Sequence, residues 1–334
     1  MCSQPLILVT GASGALGPRV VDALYNAGYR IRTLSLDPVP KGVWPDIIET
    51  RIGDVTDPIT VDKAMNGATY VIHMAALLHI NDPDPTLEKK YQAINVGGTA
   101  TVVEAAIQSN VTRVVFMSTI AVYGKTNGQI VNECTIPKPD TLYGLTKLDA
   151  EEIVLKAKRN NEQPIGTVLR LGAVYGASIK GNYRRLLHSL ARGRFIPIGS
   201  GQNRRSLIYD KDVADAVVLA LHHPAAAGQI FNVCDRQFHT VKEIIEVMCK
   251  ALGRSLPRFT LPSNMVRYAA GILEDGAKIL GLKSPIVRAT IDKYTEDIAV
   301  DSSRIQSQVG FVPQYDLDHG WRETIEHMRL MGDL

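Results

Sequence analysis

The sequence predicts an α/β protein built on a doubly wound parallel sheet, with a smaller, mostly helical C-terminal region. Two features of the 334-residue chain carry that expectation. Short apolar runs alternate with helix-length segments through the first half of the chain. A glycine loop, Gly11-Ala12-Ser13-Gly14-Ala15-Leu16-Gly17, lies where the first apolar run meets the first helical segment.

Leu6–Val9, Arg30–Leu36, Ile47–Ile52, Tyr70–His73, Arg113–Met117 and Gly166–Leu171 read as strands. Helical segments lie between them, near 17–27, 58–66, 86–109 and 141–160. Strands joined by crossover helices form a parallel sheet covered on both faces, and ligands bind beyond the carboxyl ends of such strands. After about residue 176 the pattern changes. Helices near 180–193, 210–222, 240–252, 263–281 and 317–330 alternate with short strands near 206–209 and 229–233. The chain is therefore expected to divide into a dinucleotide-binding part, 1–175, and a substrate region, 176–334, intertwined with it.

Bulk properties exclude several classes. The chain is 45% hydrophobic and 21% charged, ordinary for a soluble globular protein. A net charge of +3 without a long Lys/Arg block argues against nucleic acid. Cys2, Cys134, Cys234 and Cys249 show no C-x-x-C spacing, which argues against a zinc site or a disulfide framework and suits the cytoplasm. The eight histidines show no metal spacing either, so no metal is expected. No secretory signal is evident, because Pro5 to Val9 lacks a basic leader and reads as the first strand. Met265 to Leu282 is apolar, but Arg267, Glu274, Asp275 and Lys278 interrupt it, so it cannot span a bilayer. Its apolar residues recur at helical spacing, which predicts a packed amphipathic helix.

The glycine loop is a cofactor site by its chemistry. Gly11 permits a tight turn, Gly14 lets the backbone approach phosphates, and Gly17 lets the helix pack on the strand. Ser13, Ala15 and Leu16 complete the loop that faces a pyrophosphate at the helix N-terminus. Asp37, 20 residues beyond Gly17, stands where an acidic side chain binds the adenosine ribose, or it is a turn residue before Pro38. Leu36 occupies a place where a basic residue would favour the 2′-phosphate of NADP. NAD is therefore expected, with Arg32 and Lys41 keeping NADP open. Asp54 and Val55 follow the third strand and either cap an adenine pocket or close a turn. Ala75 and Ala76 end the fourth strand with side chains small enough for a flat cofactor to lie close. His73 before them reads as a packed histidine. Asn95, in Asn95-Val96-Gly97-Gly98-Thr99, sits in a helical stretch where a buried amide needs partners; it is either structural or part of the cofactor and catalytic site.

Tyr143-Gly144-Leu145-Thr146-Lys147 places a phenol and an ammonium four residues apart, on one helical face. A neighbouring ammonium stabilises the phenolate and draws its pKa down from about 10 toward the range of a general acid/base. With a nicotinamide cofactor, such a pair serves hydride exchange with an alcohol or ketone. Ser118 and Thr119 bring hydroxyls to the sheet's carboxyl edge, Thr119 being the better candidate to bond the reacting oxygen.

On these residues the chain resembles the extended branch of the short-chain dehydrogenases/reductases, the NAD-dependent epimerase/dehydratase group. The likeness spans nearly the whole chain. It rests on Gly11/Gly14/Gly17, Asp54-Val55, His73-Met74-Ala75-Ala76, Asn95, Ser118-Thr119 with Val122-Tyr123-Gly124, Tyr143/Lys147 and Leu169-Arg170. It continues through Arg204-Arg205-Ser206-Leu207-Ile208-Tyr209 and Asp212-Val213-Ala214. The resemblance implies a Rossmann-type fold, with Tyr143 as acid/base, Lys147 also on the nicotinamide ribose and Thr119 on the substrate oxygen. It also implies a homodimer paired through the helices at 86–109 and 141–160. Sugar 4,6-dehydratases carry Asp-Glu directly after the threonine; Ile120 and Ala121 stand there, so dehydration is not expected. Ala173 occupies the place of an asparagine common in nucleotide-sugar enzymes, which weakens a standard UDP-galactose 4-epimerase reading.

Between Glu162 and Asp210 there is no acidic residue, while Arg170, Lys180, Arg184, Arg185, Arg192, Arg194, Arg204 and Arg205 fall in that stretch. A one-signed cleft concentrates anionic ligand, and arginine forks suit phosphate oxygens. The resemblance makes Arg205 and Asn182 the expected substrate contacts, with Ser118 and Thr119. The leading expectation is an NAD(P)-dependent nucleotide-sugar epimerase or reductase acting at C4. A hydroxysteroid-, flavonoid- or lipid-type alcohol dehydrogenase and a non-catalytic NAD-binding regulator are the alternatives.

Overall fold

A computed structural model describes residues 4–40, 42–78, 86–280, 282, 284 and 287–334. Cys2 and Lys41 lie outside the described residues. Seven strands form one sheet: β1 (Leu6–Thr10), β2 (Arg30–Ser35), β3 (Glu49–Ile52), β4 (Tyr70–His73), β5 (Arg113–Thr119), β6 (Gly166–Leu171) and β7 (Gln229–Val233). All pair in parallel in the order 3-2-1-4-5-6-7, so the order reverses between β1 and β4. β1 and β6 are buried at every residue, as strands covered on both faces must be.

The helices are α1 (Gly17–Asn26), α2 (Pro58–Met65), α3 (Leu87–Tyr91), α4 (Gly98–Gln108), α5 (Leu142–Lys156) and α6 (Asn182–Ala191). They continue with α7 (Asp210–His222), α8 (Val241–Leu252), α9 (Ser263–Ile279), α10 (Arg288–Thr295), α11 (Ser303–Val309) and α12 (Leu317–Leu330). Val20, Val21 and Leu24 of α1 share one core with Val213 and Val217 of α7. Val61 of α2, Val102 and Ala106 of α4, and Ala150 and Val154 of α5 share the core on the opposite face. A third core joins α6, α8 and α12 around Trp321, which stacks on Tyr175 with centroids 4.6 Å apart.

Several elements depart from the sequence expectation. The strand near 229–233 joins the main sheet as β7, in parallel beside β6, with Phe231 and Val233 buried in the core that also holds residues of α7 and α11. β5 runs on to Ser118 and Thr119, which pair with Arg170 and Leu171. The helical stretch 86–109 holds a π-helical turn, Gln92–Gly97, between α3 and α4. α10 and α11 had no strong sequence signal. Helix α9 forms as its spacing requires, yet only Ala270 and Gly271 are buried, so the packed helix expected there is largely unpacked.

Candidate active site

The glycine loop follows β1 at the reversal of strand order. Gly11 adopts φ +71, and a side-chain carbon there would lie 2.6 Å from the Ala75 nitrogen. The position therefore needs glycine for conformation and for close approach. A side chain on Gly17 would overlap the Ala12 carbonyl, so α1 can begin against the strand end only because that residue is glycine. Gly14 differs: a carbon there would meet only the Gly11 carbonyl, at 3.1 Å, which leaves its outer side open. The loop is held by hydrogen bonds from Gly14 N to Gly11 O and from Gly17 N to Gly14 O, both 3.0 Å. Ser13 N donates to Ser35 Oγ at 3.0 Å. Leu16 precedes α1 without a side-chain cap, and Ala15 and Leu16 leave this helix N-terminus facing the carboxyl edge of the sheet. An uncapped N-terminus behind an open glycine loop fits a dinucleotide pyrophosphate.

Around this loop the expected contacts sort unevenly. Ala75 lies half-buried against Gly11, its N 3.4 Å from Thr10 Oγ1, and Ala76 after it is also half-buried. Asp37 is exposed two residues past β2, beside Leu36, which is 67% exposed. Arg32 points elsewhere: it is buried, bonded to Glu49 at 2.7 Å and to the Ala64 and Asn66 carbonyls. That commitment removes Arg32 as a partner for a 2′-phosphate. Asp54 accepts from Thr56 N at 2.9 Å and closes a turn, while Val55 is buried against Gly98. Asn95 lies in the π-helical turn, fully enclosed. Its Oδ1 accepts from Leu77 N at 2.7 Å, and its Nδ2 donates to Leu77 O and to Thr146 Oγ1. Its amide ties the segment after β4 to α5. His73 is packed as expected, between Thr10 at 2.7 Å and Thr99 at 3.0 Å and stacked on Phe116. Burial and the nearby Lys147 push its pKa down to about 3, so it carries no charge at neutral pH.

Helix α5 begins at a Thr141 cap, whose hydroxyl accepts from Gly144 N. A side chain on Gly144 would come within 2.8 Å of the Ala121 carbonyl, so the first turn of α5 rests on the 3₁₀ turn Ile120–Tyr123 that follows Thr119. Tyr143 and Thr119 are thereby brought to the same edge of the sheet. Thr119 Oγ1 accepts from Ala121 N at 3.2 Å, which leaves its proton to donate. Lys147, one turn along, is fully buried, with Nζ 3.9 Å from the centroid of the Phe116 ring. Burial draws its pKa down to about 7 against the raising influence of Glu151. Burial, with Tyr91 nearby, pushes Tyr143 up to about 12. The expected depression of the phenol is thus not present in this geometry, because desolvation by burial dominates at Tyr143.

Ser118, expected beside the substrate, instead donates its hydroxyl to Glu151 from a buried position. Glu151 also receives Arg170, at 2.6 Å from Nη2 and 3.0 Å from Nε. Arg170 reaches on to Tyr123 Oη at 3.0 Å, and Tyr123 donates to Asn232 at 2.8 Å. This network lies directly behind Lys147. Sequence reading passed over Glu151, although its spacing of four from Lys147 on one helix was a usable signal.

The basic run is less one-signed than its sequence. Arg204 pairs with Asp297 at 2.6 Å, Arg184 with Asp333 and Arg170 with Glu151; all three carboxylates lie outside the run. Arg205 Nη2 donates to the Lys293 and Tyr294 carbonyls, at 2.7 and 2.9 Å. Asn182 starts α6, exposed, on a cleft shared with Tyr175, Lys180 and Trp321. Among the described residues no group of three or more His, Cys, Asp or Glu could hold a metal ion.

The model of the NAD dependent epimerase/dehydratase family matches residues 7–234. The chain belongs to that family. It is thus an NAD-dependent enzyme of the extended short-chain dehydrogenase/reductase type, on a Rossmann-type sheet. Within the family it is 28% identical over 323 residues to an N-acetyl-alpha-D-glucosaminyl-diphospho-ditrans,octacis-undecaprenol 4-epimerase of Escherichia coli O157:H7, covering 96% of this chain and 94% of that one. It is 29% identical over 328 residues to a UDP-glucose 4-epimerase of Vibrio cholerae, with the same coverage. Among solved structures, MoeE5 in complex with UDP-glucose and NAD aligns with a TM-score of 0.75 at 26% identity, covering 97% of this chain and 99% of that one.

Proposed function

We propose that this enzyme epimerises a diphosphate-linked sugar, of the nucleotide-sugar class, at C4. The observation that carries the reading is the meeting of Tyr143 and Thr119 at the carboxyl edge of the sheet, one turn from buried Lys147 and beside the open glycine loop. The names of the two relatives support action at C4.

NAD is the cofactor this site suits, held by the loop Gly11–Gly17 with Ala75 and Ala76 alongside and Asp37 on the ribose. Arg32 is spent on Glu49, which disfavours NADP. When bound, NAD supplies the hydride acceptor that chemistry at an alcohol carbon requires. Tyr143 takes the proton of the C4 hydroxyl and later returns it, while Thr119 donates to the same oxygen and fixes its position. Because Tyr143 is a phenol at neutral pH, it stands ready for the returning step. For the first step it needs a cation nearby, and protonated Lys147 is the one this chain provides. Asn95 and Ser118 act through others: Asn95 holds the segment after β4, and Ser118 orients Glu151 behind Lys147. Arg205 is half-buried and half-committed to α10, leaving Nε and Nη1 for a diphosphate.

Other assignments follow from the surface. Leu142 and Leu145 are exposed on one face of α5, where a second copy would pair as a homodimer. Cys134, Cys234 and Cys249 are all free, which fits a cytoplasmic location.

The test is anaerobic incubation of the enzyme with UDP-, dTDP- and GDP-sugars, with product analysis and absorbance of reduced nicotinamide. C4-inverted sugar without net change in nicotinamide is expected. Net consumption of NADH would make the enzyme a reductase, and absence of turnover on every sugar would overturn the reading.

A further inference from the structure

Between Glu246 and Glu274 the chain has no acidic residue, while Lys250, Arg254, Arg258 and Arg267 fall in that stretch; Lys250 pairs with Asp318 and Arg267 with Asp292, so Arg254 and Arg258 carry the charge of this surface. The same stretch is apolar at the surface. Met265, Tyr268, Ile272 and Ile279 of α9 fall within an arc of about 60° at 3.6 residues per turn. Each is more than half exposed, Tyr268 at 74% and Ile279 at 85%. Phe259, 78% exposed, and Leu261 extend the stripe into the preceding loop. Arg254 and Arg258 lie exposed beside it. A solvated helix carries polar residues on its outer face; this one carries aliphatic and aromatic side chains, with exposed Asp275 at their edge neutralised by Arg288 and with Arg254 and Arg258 as the cationic flank. That combination matches the interface of an anionic bilayer, where rings and aliphatic chains enter the acyl boundary and arginines meet phosphates. None of the described helices is long and apolar enough to cross a membrane, so the contact lies in the plane of the interface.

The stripe is joined to the sugar site. Leu261 N donates to Pro197 O at 2.9 Å, and Gly199 N donates to Leu261 O at 2.8 Å. Helix α9 packs on α10, whose final carbonyls receive Arg205. Arg205 and the helix that carries the apolar stripe are thus linked through α10, which packs on the buried side of α9, and through the Pro197–Gly199 segment that bonds Leu261.

We propose that the surface formed by Phe259, Leu261 and the outer face of α9 docks on an anionic bilayer, so that the enzyme acts on sugar diphosphates carried by a membrane lipid. The proposal rests on the C4 reading above and adds a lipid-borne class of diphosphate sugar to the nucleotide sugars named there.

The test uses the full-length enzyme and its Phe259→Asp/Ile272→Asp variant, both changes being at exposed positions. Flotation is measured with vesicles of phosphatidylcholine and phosphatidylglycerol at 3:1, and with phosphatidylcholine alone. The wild type is expected to float with the anionic vesicles at least tenfold more than the variant, and weakly with the neutral ones. Turnover of N-acetylglucosamine on a polyprenyl diphosphate in the anionic vesicles should fall tenfold or more in the variant, with turnover of soluble UDP-N-acetylglucosamine unchanged. Equal flotation of the two proteins, or none, would overturn the docking face, as would a variant that changes oligomeric state without changing flotation. Flotation that depends on the stripe, with neither sugar turned over, would leave the docking face standing and overturn the C4 reading instead.

Discussion

Lys147→Met should make the protein more stable and pH should erase the difference. Lys147 is buried, and its pKa is drawn from 10.5 to about 7 by desolvation. A base whose folded value lies below its unfolded value binds fewer protons when folded. Its stability contribution is therefore fully present above the unfolded value and is lost as pH falls through the folded one. At about 1.4 kcal/mol per unit, the shift costs the wild type about 4 kcal/mol at pH 7 and about 1 kcal/mol at pH 9.5. Methionine has similar length and no charge to desolvate, and Glu151 keeps Arg170 as its partner after the change. Urea unfolding of both proteins at pH 7 and pH 9.5 is expected to show the variant ahead by several kcal/mol at the lower pH. The lead should narrow by about 3 kcal/mol at the higher pH. A gap that does not change with pH would refute the argument that Lys147 is held against its hydration preference. The variant should also lose activity, which would mark this lysine as a place where stability is given up for chemistry.

Glu151→Gln should destabilise by roughly 3–5 kcal/mol, because it leaves the Arg170 guanidinium buried without its charge partner; urea midpoints measure this. Adding Arg170→Met should recover much of that loss. Ser118→Ala should lower stability by about 1 kcal/mol while leaving KM for the sugar unchanged, since the hydroxyl serves Glu151. Gly17→Ala should weaken NAD binding at least tenfold in calorimetric titration, because the added carbon meets the Ala12 carbonyl and forces α1 off the loop.

Much of the architecture was legible because its signals are local. Buried parallel strands read as apolar runs, and the loop at 11–17 needs its glycines for reasons visible in the sequence and again in the contacts at Ala75 and Ala12. Tyr143 and Lys147 were found by spacing alone. What escaped is set by partners distant in the chain. β7 reads as one more short strand until β6 accepts it. Arg204, Arg184 and Arg170 look like free cations until Asp297, Asp333 and Glu151 arrive from elsewhere. The phenol's pKa followed from spacing only as long as burial was ignored. Helix α9 illustrates the converse: periodicity foretold the helix and could not say whether its apolar face meets a core.

The most direct test of the central claim is single-turnover kinetics of Tyr143→Phe with the sugar that the wild type converts, alongside NAD titration of the same variant. Turnover is expected to fall by at least about a thousandfold, in line with removal of a general acid/base, with NAD affinity unchanged. A Tyr143→Phe enzyme that inverts C4 at a wild-type rate would contradict the account.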